Sequence, residues 1–185
     1  MPHKCNKKQL TFVFDLDNTL VKTNLANNNS YKDAIRLVTN IDIEINSKRR
    51  FTRKDLKECL HYLPNNQFSK IIDIKEKIFI NHIDRTVLNS NLYTILRTLN
   101  ISGNETLLLT NCHRVRALQL CSHYDLSQYF SYQFFYEDYP ENKYHFLIQR
   151  GYDLDSIILF ENDSYSAKCA IENGINKSNI IKVKF

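Results

Sequence analysis

Three short apolar runs, each followed by polar residues, stand out along the chain. They are Leu10–Phe14, Thr106–Thr110 and Ser156–Phe160. A short continuous apolar run is typical of a strand that is buried on both faces of a parallel sheet. Residues 132–136 and 179–184 form two weaker candidates. We therefore predict a sheet of about five strands.

Helical patterns separate these runs. In one of them Leu92, Leu96 and Leu99 share a face, and similar spacing recurs between the later runs. Strands that alternate with helices of this length indicate a doubly wound parallel α/β sheet. We expect the first strand to be central in that sheet.

The stretch from residue 22 to residue 87 breaks the alternation. Ser30 and Asp33 are spaced as in a helix capping box, and so are Thr52 and Asp55. Apolar residues at helical spacing follow each pair, and Asn27–Asn29 is interpreted as a polar linker. About three helices are expected here. The predicted domains are an α/β core of residues 1–21 and 88–185, and a helical insertion of residues 22–87.

Composition and charge narrow the possible partners. The 185-residue chain carries a net charge of +5, a mild excess that favours anionic partners such as phosphorylated metabolites, nucleotides or nucleic acid. Its five cysteines are widely spaced without a C-x-x-C pair, so reduced thiols and a cytoplasmic location are expected. No run of ~18 apolar residues occurs, so no membrane partner is expected. Oligomeric state is not indicated.

Polar residues cluster where the predicted strands end. In an open α/β sheet, ligands bind outside the carboxyl ends of the strands, so these side chains should meet at one edge. The set is Asp15, Asp17, Thr110, Asn111, Lys143, Glu161 and Asp163.

These residue types suit phosphoryl transfer, which needs a positioned nucleophile and neutralised phosphoryl oxygens. Asp15 is the candidate nucleophile, forming an aspartyl-phosphate, and Asp17 is the candidate acid and base. Thr110 and Lys143 would steady the phosphoryl oxygens, with Asn111 beside them. Mg²⁺ prefers oxygen ligands. Its candidate ligands are Asp15, Asp17 and either Glu161 or Asp163.

Four segments resemble the motifs of the haloacid dehalogenase superfamily. Phe14–Leu20 is similar to the first motif, hhhDxDxT, and Leu107–Asn111 to the second. Lys143 stands at the third motif, although Tyr144 follows it where the family usually has proline. Ile158–Ser164 resembles the fourth motif. Counting back from Gly174 aligns Glu161 with the first acid of that motif and favours it over Asp163.

The resemblance implies a Mg²⁺-dependent phosphatase acting on a small phosphorylated metabolite. It also implies that the insertion is a cap closing over the catalytic edge. Thr110–Arg116 looks most like pyrimidine 5'-nucleotidases, which suggests a nucleoside monophosphate as substrate. Two alternatives stay open, a protein or polynucleotide phosphatase and a catalytically inactive binding protein.

Several of these residues also have structural interpretations. Thr110 could cap the following helix, and Asn111 is expected to fix its loop rather than touch substrate. Arg114 and Arg116 are interpreted as a solvated helix face, although either could reach a phosphate. The aromatic stretch Tyr129–Tyr136 is interpreted as core packing. A nucleic-acid partner is therefore not expected.

Overall fold

A computed structural model describes residues 9–139 and 141–185. The chain forms two compact units. One comprises the described residues up to Leu20 together with Asn89–Phe185, and the other is Val21–Leu88.

Strands and helices are numbered here in chain order. The strands are β1 (Thr11–Phe14), β2 (Val21–Lys22), β3 (Val87–Leu88), β4 (Glu105–Leu109), β5 (Tyr132–Phe134), β6 (Ile157–Glu161) and β7 (Ile180–Lys182). The α-helices are α1 (Asn24–Thr39), α2 (Arg53–Cys59), α3 (Asn65–Ile78), α4 (Ser90–Ile101), α5 (Arg114–His123), α6 (Lys143–Gln149) and α7 (Ser164–Glu172).

The first unit contains a five-stranded parallel sheet. Its strand order is β5-β4-β1-β6-β7, so the first strand is central, and helices separate the strands along the chain. The predicted doubly wound α/β fold is confirmed. Phe14 pairs in register with Leu108 and Phe160, so Asp15, Thr110 and Glu161 come at nearly the same level of three neighbouring strands.

The sheet is held by side chains that lose all or nearly all contact with water. Val13, Leu107 and Leu159 are 0% exposed, and the Phe14 and Phe160 rings stack with centroids 4.5 Å apart. Burying an apolar side chain of this size stabilises the fold by about 1.5–3 kcal/mol. The short strands therefore give a rigid support for the polar residues that follow them.

The second unit contains α1, α2 and α3, so the three predicted helices are present. A 3₁₀ segment, Phe79–Arg85, follows them, and β2 pairs antiparallel with β3. Its buried core consists of Tyr31, Ala34, Ile35, Ile45, Phe51, Leu56, Leu60 and Ile71.

The start of α1 differs from the prediction. The helix begins at Asn24, so Asn27–Asn29 is helical rather than a linker. The Asn27 and Asn28 side chains are buried, and their amides donate to the Phe51 and Arg49 carbonyls at 2.9 and 2.8 Å. These bonds satisfy amides that would otherwise favour a turn. Ser30 therefore lies inside the helix and donates to the Ala26 carbonyl at 2.7 Å.

The second predicted capping box is confirmed at the start of α2. Thr52 accepts from the Asp55 backbone N–H, and the Asp55 carboxylate accepts from the Thr52 backbone N–H at 2.7 Å. Arg49 donates to the other carboxylate oxygen at 2.6 Å. Hydrogen bonds from Arg49 and Thr52 together hold the pKa of Asp55 well below its usual range.

Asp55→Asn is expected to lower the free energy of unfolding by about 1 kcal/mol at neutral pH, because the charged half of the box is lost. A depressed folded-state pKa stabilises above the unfolded pKa of about 4, and this stabilisation fades as pH falls below it. The difference between variant and wild type should therefore shrink in acid. Urea denaturation of the variant and the wild type, at neutral pH and in acid, measures this difference. Asp73→Asn, an exposed change in α3, is the control, and a pH-independent difference would contradict the assignment.

Cys59, Cys112, Cys121 and Cys169 are thiols rather than disulfides, in line with the prediction, and Cys5 lies outside the described residues. Within residues 9–139 and 141–185, no helix is both long enough and apolar enough to cross a membrane.

Candidate active site

Three charged side chains from distant parts of the sequence meet beyond the carboxyl end of β1. The Lys143 ammonium lies 3.2 Å from Asp15 Oδ1 and 2.9 Å from Glu161 Oε2. All three residues are buried, with exposures of 4, 7 and 1% for Lys143, Asp15 and Glu161. Lys143 is the first residue of α6, and Glu161 is the last residue of β6.

Burial has the largest effect on the pKa of Asp15 in this cluster. Burial raises the pKa of Asp15 to about 7, with Glu161 and Asp17 adding to the rise and Lys143 opposing it. Burial would lower the pKa of Lys143, but Asp15, Tyr144 and Glu161 raise it well above its usual range. Burial would likewise raise the pKa of Glu161, but Lys143 brings it below its usual value. Lys143 is therefore held as a cation.

Glu161 is held by two hydroxyl groups that the sequence interpretation missed. Tyr144 and Ser166 donate to its Oε2 at 3.2 and 2.7 Å, and the two hydroxyls lie 2.8 Å apart. Tyr144 is 1% exposed and occupies the position where the family usually has proline. These contacts fix the glutamate, whose side chain is longer than that of the aspartate common at this position.

Thr19 links the first and fourth motifs. Its hydroxyl lies 3.1 Å from Asp15 Oδ2 and 3.1 Å from Asn162 Oδ1, and the Asn162 backbone N–H donates to it at 3.2 Å. Thr19 is 0% exposed. The DxDxT spacing points to Thr19, but spacing alone does not predict that its hydroxyl contacts both Asp15 and Asn162.

Thr110 and Asn111 shape the loop after β4. The Thr110 hydroxyl accepts from the Cys112 backbone N–H at 3.2 Å, and the α5 N-cap position belongs to His113. A helix-cap role for Thr110 is therefore wrong. The Tyr139 hydroxyl donates to the Thr110 carbonyl and lies 3.3 Å from Asn111 Oδ1. Asn111 thus helps to fix the loop.

The two arginines of α5 have different environments. Arg116 is 6% exposed, and its Nη2 donates to Asp17 Oδ2 at 2.7 Å. Interpreting Arg116 as part of a solvated helix face was therefore wrong. Arg114 is more exposed, and it pairs with Asp138 at 2.5 Å with its guanidinium over the Phe135 ring.

The two acids of the fourth motif also have different environments. Asp163 is exposed, and its carboxylate caps α7 by accepting from the Ser166 backbone N–H at 2.7 Å. Its own backbone N–H donates to Glu161 Oε1 at 3.0 Å. Glu161, and not Asp163, is the acid in contact with Lys143.

The donor set at this edge fits Mg²⁺. In the described part of the chain, no three His, Cys, Asp or Glu side chains form a metal cluster. Mg²⁺ does not need three such side chains, because it keeps several water ligands and takes only one or two carboxylates. The Asp15 and Glu161 carboxylates, which both contact Lys143, supply hard oxygen donors. Two buried carboxylates face one ammonium here, so a dication would offset the remaining negative charge.

A cavity of about 660 Å³ lies at the opposite edge of the sheet. Its lining includes Thr11, Glu105, Tyr132 and Ser156, which stand at or beside the amino ends of four strands. Ligands of open α/β sheets bind at the other edge, so this cavity is not part of the candidate site.

Solved structures share the fold at low sequence identity. A haloacid dehalogenase-like family hydrolase from Streptococcus pneumoniae matches with a TM-score of 0.74 at 16% identity, covering 91% of this chain and 82% of that one. CbbY from Rhodobacter sphaeroides, solved in complex with phosphate, matches with a TM-score of 0.73 at 13% identity, covering 96% and 87%. No curated protein matches the sequence significantly.

Residues 12–179 match the family described as haloacid dehalogenase-like hydrolases. That range includes Asp15, Thr110, Lys143 and Glu161, so the match covers all the motifs that the sequence suggested. The predicted family and the predicted enzyme class, a hydrolase, are confirmed. The chain belongs to the haloacid dehalogenase-like hydrolase family.

Proposed function

We propose that the protein is a Mg²⁺-dependent phosphomonoesterase that acts through an aspartyl-phosphate on Asp15. The observation that carries this proposal is the environment of the Asp15 carboxylate. It is buried between the Lys143 ammonium and the Thr19 hydroxyl, and Asp17 stands two residues further along. A fixed carboxylate beside a buried cation suits attack on a phosphoryl group.

Two chemical steps follow from this arrangement. In the first, Asp15 attacks phosphorus, the bond to the leaving oxygen breaks, and Asp17 donates a proton to that oxygen. In the second, Asp17 takes a proton from water, the water oxygen attacks phosphorus, and the Asp15 carboxylate is released with inorganic phosphate. Lys143 and Thr110 bind the phosphoryl oxygens throughout.

Mg²⁺ would be held by the Asp15 carboxylate, the Asp17 carbonyl and Glu161, with Asp163 as the alternative acid. When bound, it would neutralise phosphoryl charge that otherwise repels the nucleophile. We favour Glu161 over Asp163 as the metal ligand, because Lys143 contacts both Glu161 and Asp15.

A small phosphorylated metabolite is the proposed substrate, with a nucleoside monophosphate as the first candidate. The net charge of +5 and the helical insertion, which we propose acts as a cap, support a small anionic ligand. The phosphate complex of the similarly folded CbbY also supports a phosphate site. A cytoplasmic location and the absence of a nucleic-acid partner stay predictions.

Phosphate release from p-nitrophenyl phosphate, nucleoside monophosphates and a phosphopeptide, each with Mg²⁺ or EDTA, tests the proposal. We expect Mg²⁺-dependent release with a nucleoside monophosphate preferred over the phosphopeptide. Preference for the phosphopeptide would indicate the protein phosphatase alternative. Phosphate binding without release from any compound would favour an inactive binding protein.

A further inference from the structure

Arg116 connects the loop of the second motif to the proposed acid and base. Its Nε donates to Cys112 Sγ at 2.9 Å, and its Nη2 donates to Asp17 Oδ2 at 2.7 Å. Cys112 is itself tied to Thr110, whose hydroxyl accepts from its backbone N–H. One side chain on α5 thus reaches residues that follow both β1 and β4.

The geometry restrains the guanidinium from two sides. Cys112 lies four residues before Arg116, just ahead of α5, and its contact with Nε restrains the plane of the group. A planar guanidinium has its N–H groups in a fixed fork, so the direction of Nη2 follows from that plane. Lysine in the same place would keep the charge without this fixed direction.

Fold stability is a weak explanation for this pair. Both side chains are largely removed from water, since the exposed fraction of the side-chain atoms alone is 7% for Arg116 and 19% for Asp17. Replacing a buried ion pair by apolar residues is often neutral or stabilising, so such a pair is weak evidence of a stabilising role. Asp17 also sits in an irregular segment, since Asn18 has a left-handed φ of 60°. A carboxylate on such a segment needs an external contact to fix its orientation.

We propose that Arg116 is a positioning residue for proton transfer. It holds Asp17 through Oδ2, in the orientation from which the carboxyl group protonates the leaving oxygen and then accepts the proton of water. The inference rests on the proposed phosphatase activity. Misplacing a catalytic group by about 1 Å can cost on the order of 100-fold in rate, which is the size of effect expected here.

Leaving-group dependence separates positioning from a structural role. p-Nitrophenolate departs without a proton, whereas the phenolate of phenyl phosphate is a much poorer leaving group. Arg116→Ala should lower kcat/KM for phenyl phosphate by about 100-fold, since general acid catalysis is lost, and should lower it far less for p-nitrophenyl phosphate. Arg116→Lys should recover part of the loss. Arg114→Ala removes a neighbouring charge on the same helix and should affect neither substrate selectively.

Asp17→Asn completes a double-mutant cycle. Because Arg116 acts through Asp17, Arg116→Ala should cause little further loss with phenyl phosphate once Asp17 is asparagine. Equal losses on both substrates, or additive losses in the cycle, would overturn the inference while leaving the phosphatase proposal intact. A wild type that hydrolyses neither ester would overturn both. Circular dichroism melting checks folding, and if Arg116→Ala is unfolded, Arg116→Lys must show the same selective loss in smaller measure.

Discussion

Asp15→Asn is expected to lower the rate of Mg²⁺-dependent phosphate release by a factor on the order of 10⁴ or more. The amide has no negative charge and cannot form the aspartyl-phosphate. Steady-state hydrolysis of p-nitrophenyl phosphate measures the loss. This ester needs little help from a general acid, so the assay reports on the nucleophile itself.

The fold should survive this substitution, because Lys143 keeps its contact with Glu161 at 2.9 Å. The melting temperature of Asp15→Asn should therefore stay close to that of the wild type. Asp73→Asn makes the same chemical change at an exposed position on α3 and should retain full activity. Activity retained in Asp15→Asn would remove Asp15 from the nucleophile role.

Glu161→Ala is expected to raise the Mg²⁺ concentration needed for half-maximal activity more than Asp163→Ala does. Changes around metal ligands typically cost about 10–100-fold in affinity, and loss of a ligand should cost at least as much. Glu161 lies beside Asp15, whereas the Asp163 carboxylate caps α7. Asp163→Ala should instead lower the free energy of unfolding by about 1 kcal/mol, because the cap is lost.

Magnesium titrations of p-nitrophenyl phosphate hydrolysis and urea denaturation of both variants test this contrast. Asp153→Ala removes another capping aspartate, at a 3₁₀ turn before β6, and serves as a control that should not change the Mg²⁺ requirement. The reverse order of Mg²⁺ requirements would mean that Asp163 is the metal ligand.

The sheet was predictable mainly because its three central strands, β1, β4 and β6, are largely buried, whereas the edge strands β5 and β7 are more exposed and gave weaker signals. Buried strands have uninterrupted apolar sequences. The five predicted runs correspond to β1, β4, β5, β6 and β7, with ends shifted by at most two residues. The polar residues after them could be placed at one edge because parallel strands end on the same side. Asp15, Lys143 and Glu161 are brought together there.

The start of α1 was not predictable from local pattern. Asn27 and Asn28 have poor helix propensity, and their partners lie more than twenty positions further along the chain, at Arg49 and Phe51. Tertiary hydrogen bonds override the local preference, and no short window of sequence contains them. Ser30 was misread for the same reason.

The positions of the side chains around the proposed catalytic acids could not be inferred from the sequence. A tyrosine after Lys143 looked only like a departure from the family pattern, yet the Tyr144 hydroxyl contacts Glu161. The burial of Arg116 depends on contacts with Cys112 and Asp17 rather than on its position in a helix. Motif spacing finds residue types, whereas such contacts depend on the packing of separate elements.

The most direct test of the account is to trap the phosphorylated enzyme. Asp17→Asn should still be phosphorylated by p-nitrophenyl phosphate with Mg²⁺ but should hydrolyse the intermediate slowly, because no base activates the water. After acid quenching and digestion, mass spectrometry should find one phosphoryl group on Asp15, and none in Asp15→Asn/Asp17→Asn. Phosphate release by wild type without this adduct, or an adduct on another residue, would contradict the proposed mechanism.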